Sequence, residues 1–493
     1  MALEGLPFWS LFRKTRDFRP RHERGKGITG MRIVLADLKS TEGLVTKDTV
    51  AGGYGSRMVP FSVCTSVCCY FKRHFHDHIS IQLAYIAAIC ARYGHDIEFT
   101  RRKVLPGDVA IVLSSLVDYR QETAWADEAR KQGTRVGFVG LAASKMPELF
   151  ADHADFIVMG EPESAMEAMA QGRRLAGFVP STEVSDLDSL PFPRWDIMQR
   201  TSQRRLGISV RPLGGGFPLL ASRSCPESCT YCPHRILSSF RARSIANIIK
   251  ELEYLCGLSG RPYVVFRDPM FTADRERCMG LCNAIIRNGL RVKFECETRL
   301  DHLDEELLEL MHRAGLRVVT FGVESVSPET LRRVARRPTA ESHQRMIVDR
   351  CRELGISTAA YYVFGFLPDT WNSIAATIDF SISLGSTFAQ FKLLTPYPGT
   401  PLWRQLSPLV CEKDWQKFDG YTPTFRHPSL THDELRFLLG ASYARFYGRP
   451  SWGADYLRIN QPSIRRWISR MDAKAFAAHS RKECEIMMRP VTC

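Results

Sequence analysis

With 493 residues and 44% hydrophobic content, the chain is long enough to bury more than one core, and two or three domains are expected. Fifteen cysteines spread through such a chain, with no secretory leader, fit reduced thiols in a cytoplasmic protein, and no uninterrupted apolar run is long enough to span a bilayer. A formal charge of +14 permits an anionic partner without requiring one, and nucleic acid is not the partner expected.

Residues 1–30 carry basic clusters, Arg13-Lys14 through Arg24 and Lys26, and read as a solvated extension. From 31 to 180, apolar runs alternate with helical patterns. Arg32–Asp37 reads as a strand and is followed by a polar loop with Gly52, Gly53, Tyr54 and Gly55. A helix over about Ser80–Tyr93 should stop at Gly94; its apolar run is interrupted by Gln82, which makes it amphipathic. Strands follow at Asp96–Thr100, Asp108–Ser114, Arg135–Gly140 and Asp155–Met159, with helices near Glu122–Lys131 and Pro147–Ala151. This alternation implies a parallel sheet covered on both faces, whose ligands bind beyond the carboxyl ends of its strands. Those ends carry Ser114, Ser115, Gly140, Leu141, Gly160, Glu161 and Glu163, and the small residues among them allow close approach to the backbone. His76 and His78 read as surface residues, and Cys64, Cys68 and Cys69 as packed thiols.

Residues 181–214 are polar and then proline-rich, with Leu190-Pro191-Phe192-Pro193-Arg194-Trp195, an extended path suited to a linker. From 215 to 405 strand and helix alternate again. Strands are expected at Phe217–Ala221, Pro262–Asp268, Val292–Glu297, Leu316–Gly322, Ile356–Phe364 and Phe388–Leu394. The intervening helices run from about Ser244, Asp274, Glu305, Ala340 and Thr370. Six strand–helix units make a partial (β/α) barrel, with chemistry at the carboxyl ends of its strands. After residue 405 the chain reads as a helical, basic C-terminal region, 406–493, with Asp433–Tyr447 its clearest helix; Arg445, Arg449, Arg465 and Arg466 could bind an anionic substrate, but the segment is expected rather to cap the barrel and shape the substrate pocket.

The first barrel strand leads into Cys225, Cys229 and Cys232, at Cys-x3-Cys-x2-Cys spacing with Tyr231 before the last. Three thiolates on one tight loop suit an iron–sulfur centre with one iron left open. A zinc knuckle completed by His234, or three buried thiols, are the alternatives. Asp268, Glu297, Arg299 and Glu324 close later strands. A carboxylate there can hold ribose hydroxyls and a guanidinium can hold a carboxylate; a salt bridge at the rim is the plainer use of each. Cys278 and Cys282 read as packed thiols on a helix.

The cysteine spacing, the Gly322-Val323-Glu324-Ser325 turn and the stretches Phe364–Pro368 and Thr395–Pro401 resemble the radical S-adenosylmethionine (SAM) superfamily. The first domain, with its Gly160-Glu161-Pro162-Glu163 turn and the Leu-Pro-x-Pro-x-Trp linker, resembles the cobalamin-dependent branch of that family. The Asp-x-His-x-x-Gly motif that supplies a cobalt ligand in classical cobalamin methyltransferases is absent. The resemblance implies a Rossmann-like cobalamin domain ahead of a partial (β/α)6 barrel. It implies a [4Fe-4S] cluster on Cys225, Cys229 and Cys232, and SAM contacts from Tyr231, Asp268, Glu297, Arg299 and Glu324. Cobalamin contacts would come from Ser114, Ser115, Gly140, Leu141, Gly160, Glu161 and Glu163. The expected activity is C-methyl transfer from SAM, by way of cobalamin, to an unactivated carbon of a small-molecule, lipid or natural-product substrate. An external low-potential electron donor of the flavodoxin or ferredoxin type is implied as well. The rivals are a rearrangement, ring contraction or cyclisation with the same cofactors, and a non-enzymatic metal-binding regulatory protein.

Overall fold

The computed structural model describes residues 30–40, 42–47, 53–60, 65–66, 69, 80–196 and 216–453. The basic extension up to residue 29, Gly52, Cys64, Cys68, His76, His78, most of the linker, Arg465 and Arg466 lie outside the described residues.

The first half is built on β1 (Arg32–Ala36), a hairpin of β2 (Leu44–Thr46) and β3 (Ser56–Met58), then β4 (Asp96–Thr100), β5 (Val109–Leu113), β6 (Arg135–Val139), β7 (Phe156–Met159) and β8 (Gly177–Pro180). Six of these strands form one sheet in the order β4-β1-β5-β6-β7-β8, every neighbouring pair parallel. Ile33, Val34, Leu35 and Ala36 are wholly buried, as expected of a strand covered on both faces. The Ser80 side chain accepts from the Leu83 amide and caps the helix Ile81–Arg92. The helix expected from Glu122 begins earlier, at Tyr119, and the one expected near Pro147 is two short 3-10 turns, Pro147–Leu149 and Ala151–His153. The turn after β6 instead opens a helix over Leu141–Lys145. β8 and the β2–β3 hairpin are additions to the expected elements; both are short, and Ser56-Arg57-Met58 has no apolar run to announce it.

The second half contains β9 (Phe217–Leu219), a ribbon of β10 (Ser222–Arg223) and β11 (Arg241–Ala242), β12 (Tyr263–Phe266), β13 (Lys293–Thr298), β14 (Leu316–Glu324), β15 (Ser357–Phe364) and β16 (Phe388–Leu393). The six expected strands form one parallel sheet in chain order, β9-β12-β13-β14-β15-β16, with helices between them. Along β15, Ala360, Tyr362 and Phe364 are buried against the helices, while Ala359, Tyr361 and Val363 are half-buried on the opposite, inner face. This is the period-two pattern of a strand with a packed outside and an accessible inside.

The far edge of that sheet is closed by side chains. Two tyrosines one turn apart on the helix His432–Tyr447 reach the backbone of alternate β16 residues. The Tyr443 hydroxyl bonds both polar groups of Phe391 and the Tyr447 hydroxyl both of Ala389, while Trp452 Nε1 donates to the Thr387 carbonyl. An edge strand covered in this way cannot template further pairing. Thr431 and Glu434 form a capping box at the start of that helix. From Ser407 to Leu430 the chain makes short turns and one isolated bridge, Val410 with Phe425, so the C-terminal region is less helical than its composition suggests. The expected linker is pinned at its start: Trp195 is 1% exposed, and its ring meets Phe217 edge-on at 6.3 Å.

Candidate functional site

The three cysteines lie on the loop that leaves β10 and returns at β11, at the carboxyl end of the second sheet. All three are half-buried free thiols. The loop is tied at several points. Ser224 Oγ donates to the His234 carbonyl at 3.1 Å, the Thr230 amide donates to Val334 O at 3.0 Å, and the Leu402 amide donates to Thr230 O at 3.0 Å. The loop therefore has a fixed shape before any ligand is considered. An open cavity of about 340 Å³ lies beside Cys225, walled in part by Pro226, Arg235, Ile236 and Phe240.

Backbone strain gathers at this place. Among the described residues, the non-glycine positions in the left-handed region are Ser224 (φ 63), Glu324 (φ 65) and Ala335 (φ 54). One precedes Cys225, one ends β14, and one precedes Arg336. Each costs on the order of 1 kcal/mol and persists only where the surroundings over-determine it. At Glu324 the β14–β15 register also slips, a bulge between Gly322 and Glu324 that re-aims the carboxylate. The side chain then lies back over Gly322, where a Cβ would stand 2.1 Å from Glu324 Oε1. A side chain at Gly322 would have to displace that carboxylate and the Arg336 guanidinium beside it.

Glu324 is 9% exposed, and its Oε1 sits 3.5 Å from Arg336 Nη2. Burial pushes its carboxyl above the usual range; Arg336 and a bond from Tyr231 oppose that shift. Arg336 also donates to the Gly322 carbonyl and points Nη1 at Cys229 Sγ, 4.0 Å away. The Tyr231 ring stands edge-on to Phe366 at 5.7 Å. Burial drives the Cys225 thiol up to about 11 and the Cys232 thiol higher still, with the neighbouring thiols adding to both. Left alone these groups stay protonated, whereas iron deprotonates a coordinating thiol outright.

The other expected SAM contacts divide. Arg299 is 5% exposed and holds Asp301 in a two-pronged bond (2.9 and 2.8 Å), with Nη1 3.9 Å from Glu227 inside the cysteine loop. It braces that loop from β13's end. Glu297 is half-buried on β13, on the same face as Glu295. Asp268 is wholly buried, and its carboxylate accepts from the Ala221 amide at 3.0 Å and the Ser222 hydroxyl at 2.5 Å. Those bonds fix the turn between β9 and β10, a different use from the ribose contact expected of it. Arg336 was not expected. The sequence signal was a basic stretch, Arg332-Arg333 and Arg336-Arg337, after the fourth barrel strand.

The residues expected around cobalamin are engaged with the chain itself. Ser114 Oγ donates to Val139 O at 2.8 Å and accepts from Ala143 N at 3.0 Å. Ser115 Oγ donates to Glu122 Oε1 at 2.6 Å, and Glu122 in turn takes Lys47 Nζ at 2.7 Å. Leu141 is buried with Tyr54 and Tyr397 in one apolar cluster. Glu161 and Glu163, at 3% and 2% exposed, pair with arginines of the β10–β11 ribbon. These contacts hold the strand-end turns in place, and the cobalamin contacts expected of the same residues belong to the proposal below. Gly140 (φ 109) and Gly160 (φ 114), expected as small residues after β6 and β7, take positive-φ conformations that favour glycine. The two halves also meet where Tyr54 stacks on Tyr397, centroids 5.2 Å apart and planes 12° apart, and donates to Pro398 O at 2.6 Å.

Comparison with known proteins agrees with this geometry. Residues 219–381 match the family model described as the radical SAM superfamily. An uncharacterized methyltransferase of Pyrococcus horikoshii is 27% identical over 318 residues, 60% of this chain and 68% of that one. The bacteriochlorophyllide d C-12(1)-methyltransferase of Chlorobaculum tepidum is 24% identical over 337 residues, 66% of this chain and 72% of that one. In fold, the chain is similar to TsrM of Kitasatospora setae, a radical SAM methyltransferase solved with cobalamin and a [4Fe-4S] cluster bound. The TM-score is 0.58 at 16% identity, covering 83% of this chain and 90% of that one. The chain carries a radical SAM domain behind a Rossmann-like sheet, and it is an enzyme. Among the described residues no helix is long and apolar enough to cross a membrane.

Proposed function

We propose that this radical SAM enzyme is a cobalamin-dependent C-methyltransferase that moves a methyl group from SAM to an unactivated carbon of a small-molecule substrate. The observation that carries the reading is the loop of three free thiols at the barrel mouth, braced by Arg299 and Arg336 and flanked by the Glu324 bulge.

The donor set fits a cluster. Three soft thiols on one short loop suit a four-iron centre with one iron open. Among the described residues, no three or more His, Cys, Asp or Glu side chains converge on a point that could hold one metal ion. A zinc knuckle needs that convergence, whereas each thiolate of a cluster takes its own iron. Cys225, Cys229 and Cys232 would hold the cluster, and the turns carrying Gly140 and Gly160 would hold cobalamin. When bound, the cluster supplies the electron that cleaves SAM and cobalamin supplies the carrier for the methyl group.

The chain's own residues bind, orient and shield. Glu324, held by Arg336 and Tyr231, is a carboxylate acceptor for ribose hydroxyls. Glu297 faces the same mouth from β13. Arg299 and Arg337, both paired with Asp301, hold Glu227 and so fix the cysteine loop's outer turn. The apolar wall of Phe366, Leu394 and Leu402 keeps water from the inner side of Tyr231. A low-potential donor of the flavodoxin or ferredoxin type would deliver the electron. The unpaired thiols among the described residues support a cytoplasmic setting.

The test is anaerobic protein supplied with iron and cobalamin. Its absorbance should show bound cobalamin, and SAM labelled in its methyl group should pass label into a product from a substrate screen. Deoxyadenosine formed with bound cobalamin but label-free product would favour rearrangement, ring contraction or cyclisation. Folded, cluster-loaded protein that binds no cobalamin would contradict methyl transfer by this route.

A further inference from the structure

The cysteine loop has a neck, and the other sheet grips it. β10 and β11 pair antiparallel with Arg223 directly opposite Arg241, so the loop 224–240 is pinched closed between two arginines. Arg223 Nη1 lies 3.3 Å from Glu161 Oε2, and its Nη2 lies 2.7 Å from Glu163 Oε1. Arg241 takes both oxygens of Glu161, at 3.0 Å through Nη1 and also through Nη2. All four side chains are at most 12% exposed. Two guanidiniums face the two buried carboxylates, and the half-exposed Glu183 adds a third at 3.6 Å from Arg241 Nε. The Arg223 guanidinium also lies over the Tyr85 ring, 5.2 Å from its centroid.

The two glutamates follow Gly160 in the turn leaving β7, where a sheet of this kind presents its ligands. The two arginines bound the loop that carries every thiol of the site. Between Arg223 and Cys225 stands one residue, Ser224, held in the left-handed region with its hydroxyl bonded across the loop to His234 O. A shift of the β7 turn therefore reaches Cys225 through one ion pair and one strained residue. Burial alone would raise the Glu161 carboxyl; Arg241 and Arg223 hold it below the usual range.

We propose that Glu161 and Glu163, with Arg223 and Arg241, are positioning residues that clamp the neck of the cysteine loop to the first sheet. The arrangement of the three thiols then depends on a part of the chain that contributes none of them, and the state of the β7 turn is passed to the cluster loop. The consequence for the cluster rests on the proposed function, whereas the clamp itself can be tested without any cluster.

The experiment measures amide hydrogen exchange across residues 222–243 in full-length, cluster-free protein, for wild type and for Glu161→Gln with Glu163→Gln. Exchange at Arg243, whose amide donates to Ala221 O at 2.9 Å, should rise about tenfold or more while β5 and β6 are unchanged. Glu161→Gln alone and Glu163→Gln alone, each of which leaves one carboxylate on Arg223, should give intermediate protection. In reconstituted protein the glutamine pair should lose iron to a chelator about tenfold faster and alter the electron paramagnetic resonance signal of the reduced cluster, and the single variants should fall between it and wild type. If the glutamine pair does not fold, Glu163→Asp, which keeps the charge and shortens the reach, carries the same comparison. Wild-type exchange and iron loss in folded variants would overturn the clamp. Wild-type protein that accepts no cluster would instead sink the proposed function, with hydrogen exchange still deciding the clamp.

Discussion

The two parallel sheets place polar residues in the same kind of position and use them in opposite ways. Beyond β5 of the first sheet, Ser115, Glu122, Lys47, Asp118 and Arg57 satisfy one another in a buried network. At the mouth of the second sheet, Glu324, Arg299 and Arg336 stand around three thiols that form no disulfide, and the backbone carries strain at Ser224, Glu324 and Ala335. Strand ends locate a site in both sheets. The strain and the free thiols show which end is arranged for chemistry.

The largest effect should come from the thiols. Cys225→Ala, Cys229→Ala or Cys232→Ala should each reduce deoxyadenosine formation to background and lower bound iron, with thermal unfolding nearly unchanged, because each thiol is only half-buried. Normal production from any of the three would remove it from the site. Glu324→Gln should come next, weakening SAM binding about tenfold while iron content holds, since one charge-assisted bond is worth roughly 1.5–3 kcal/mol. Equal affinity in a binding titration would withdraw its role. The first sheet should answer in the reverse sense. Ser115→Ala removes one of three donors to the buried Glu122, leaving Lys47 Nζ and the residue's own amide, and should cost about 0.5–1.5 kcal/mol in a denaturant titration, with SAM cleavage per folded molecule unchanged.

The smallest effect concerns pH. Burial lifts the Asp419 carboxyl from its ordinary 3.8 to about 6, against bonds from the Tyr421 and Thr422 amides. The folded protein therefore holds this proton more tightly than the unfolded chain between those values. Asp419 favours folding fully below pH 4, loses that contribution as pH rises through about 6, and is flat above. Asp419→Asn keeps an acceptor for both amides and should lose less stability than wild type between pH 4.5 and pH 7. An identical change in the two proteins would contradict the assignment.

The barrel was legible in the sequence because each of its strands is an apolar run set off by a helix with recognisable ends, such as Ser244 or Thr370 as caps. β2, β3 and β8 were not legible: three or four residues of mixed polarity give no period to read. The cysteines were visible from spacing alone. Glu161 and Glu163 were located correctly in their turn, but their partners Arg223 and Arg241 lie about sixty to eighty residues downstream, and local patterns contain no information on such pairs. Arg336 was hidden for the same reason, since it meets Cys229 from 107 residues away. Asp268 shows the converse limit. A carboxylate at a strand end was seen, but whether it faces a ligand or fastens its own backbone is settled only by packing.

The central claim is that the loop of Cys225, Cys229 and Cys232 at the barrel mouth cleaves SAM. It is tested most directly by incubating anaerobically reconstituted protein with SAM and a low-potential reductant and measuring deoxyadenosine, beside Cys229→Ala under the same conditions. The account predicts deoxyadenosine and methionine in equal amounts from the wild type and neither from the variant. Folded wild-type protein with a verified cluster that leaves SAM intact, or a variant that cleaves it equally well, would contradict the account.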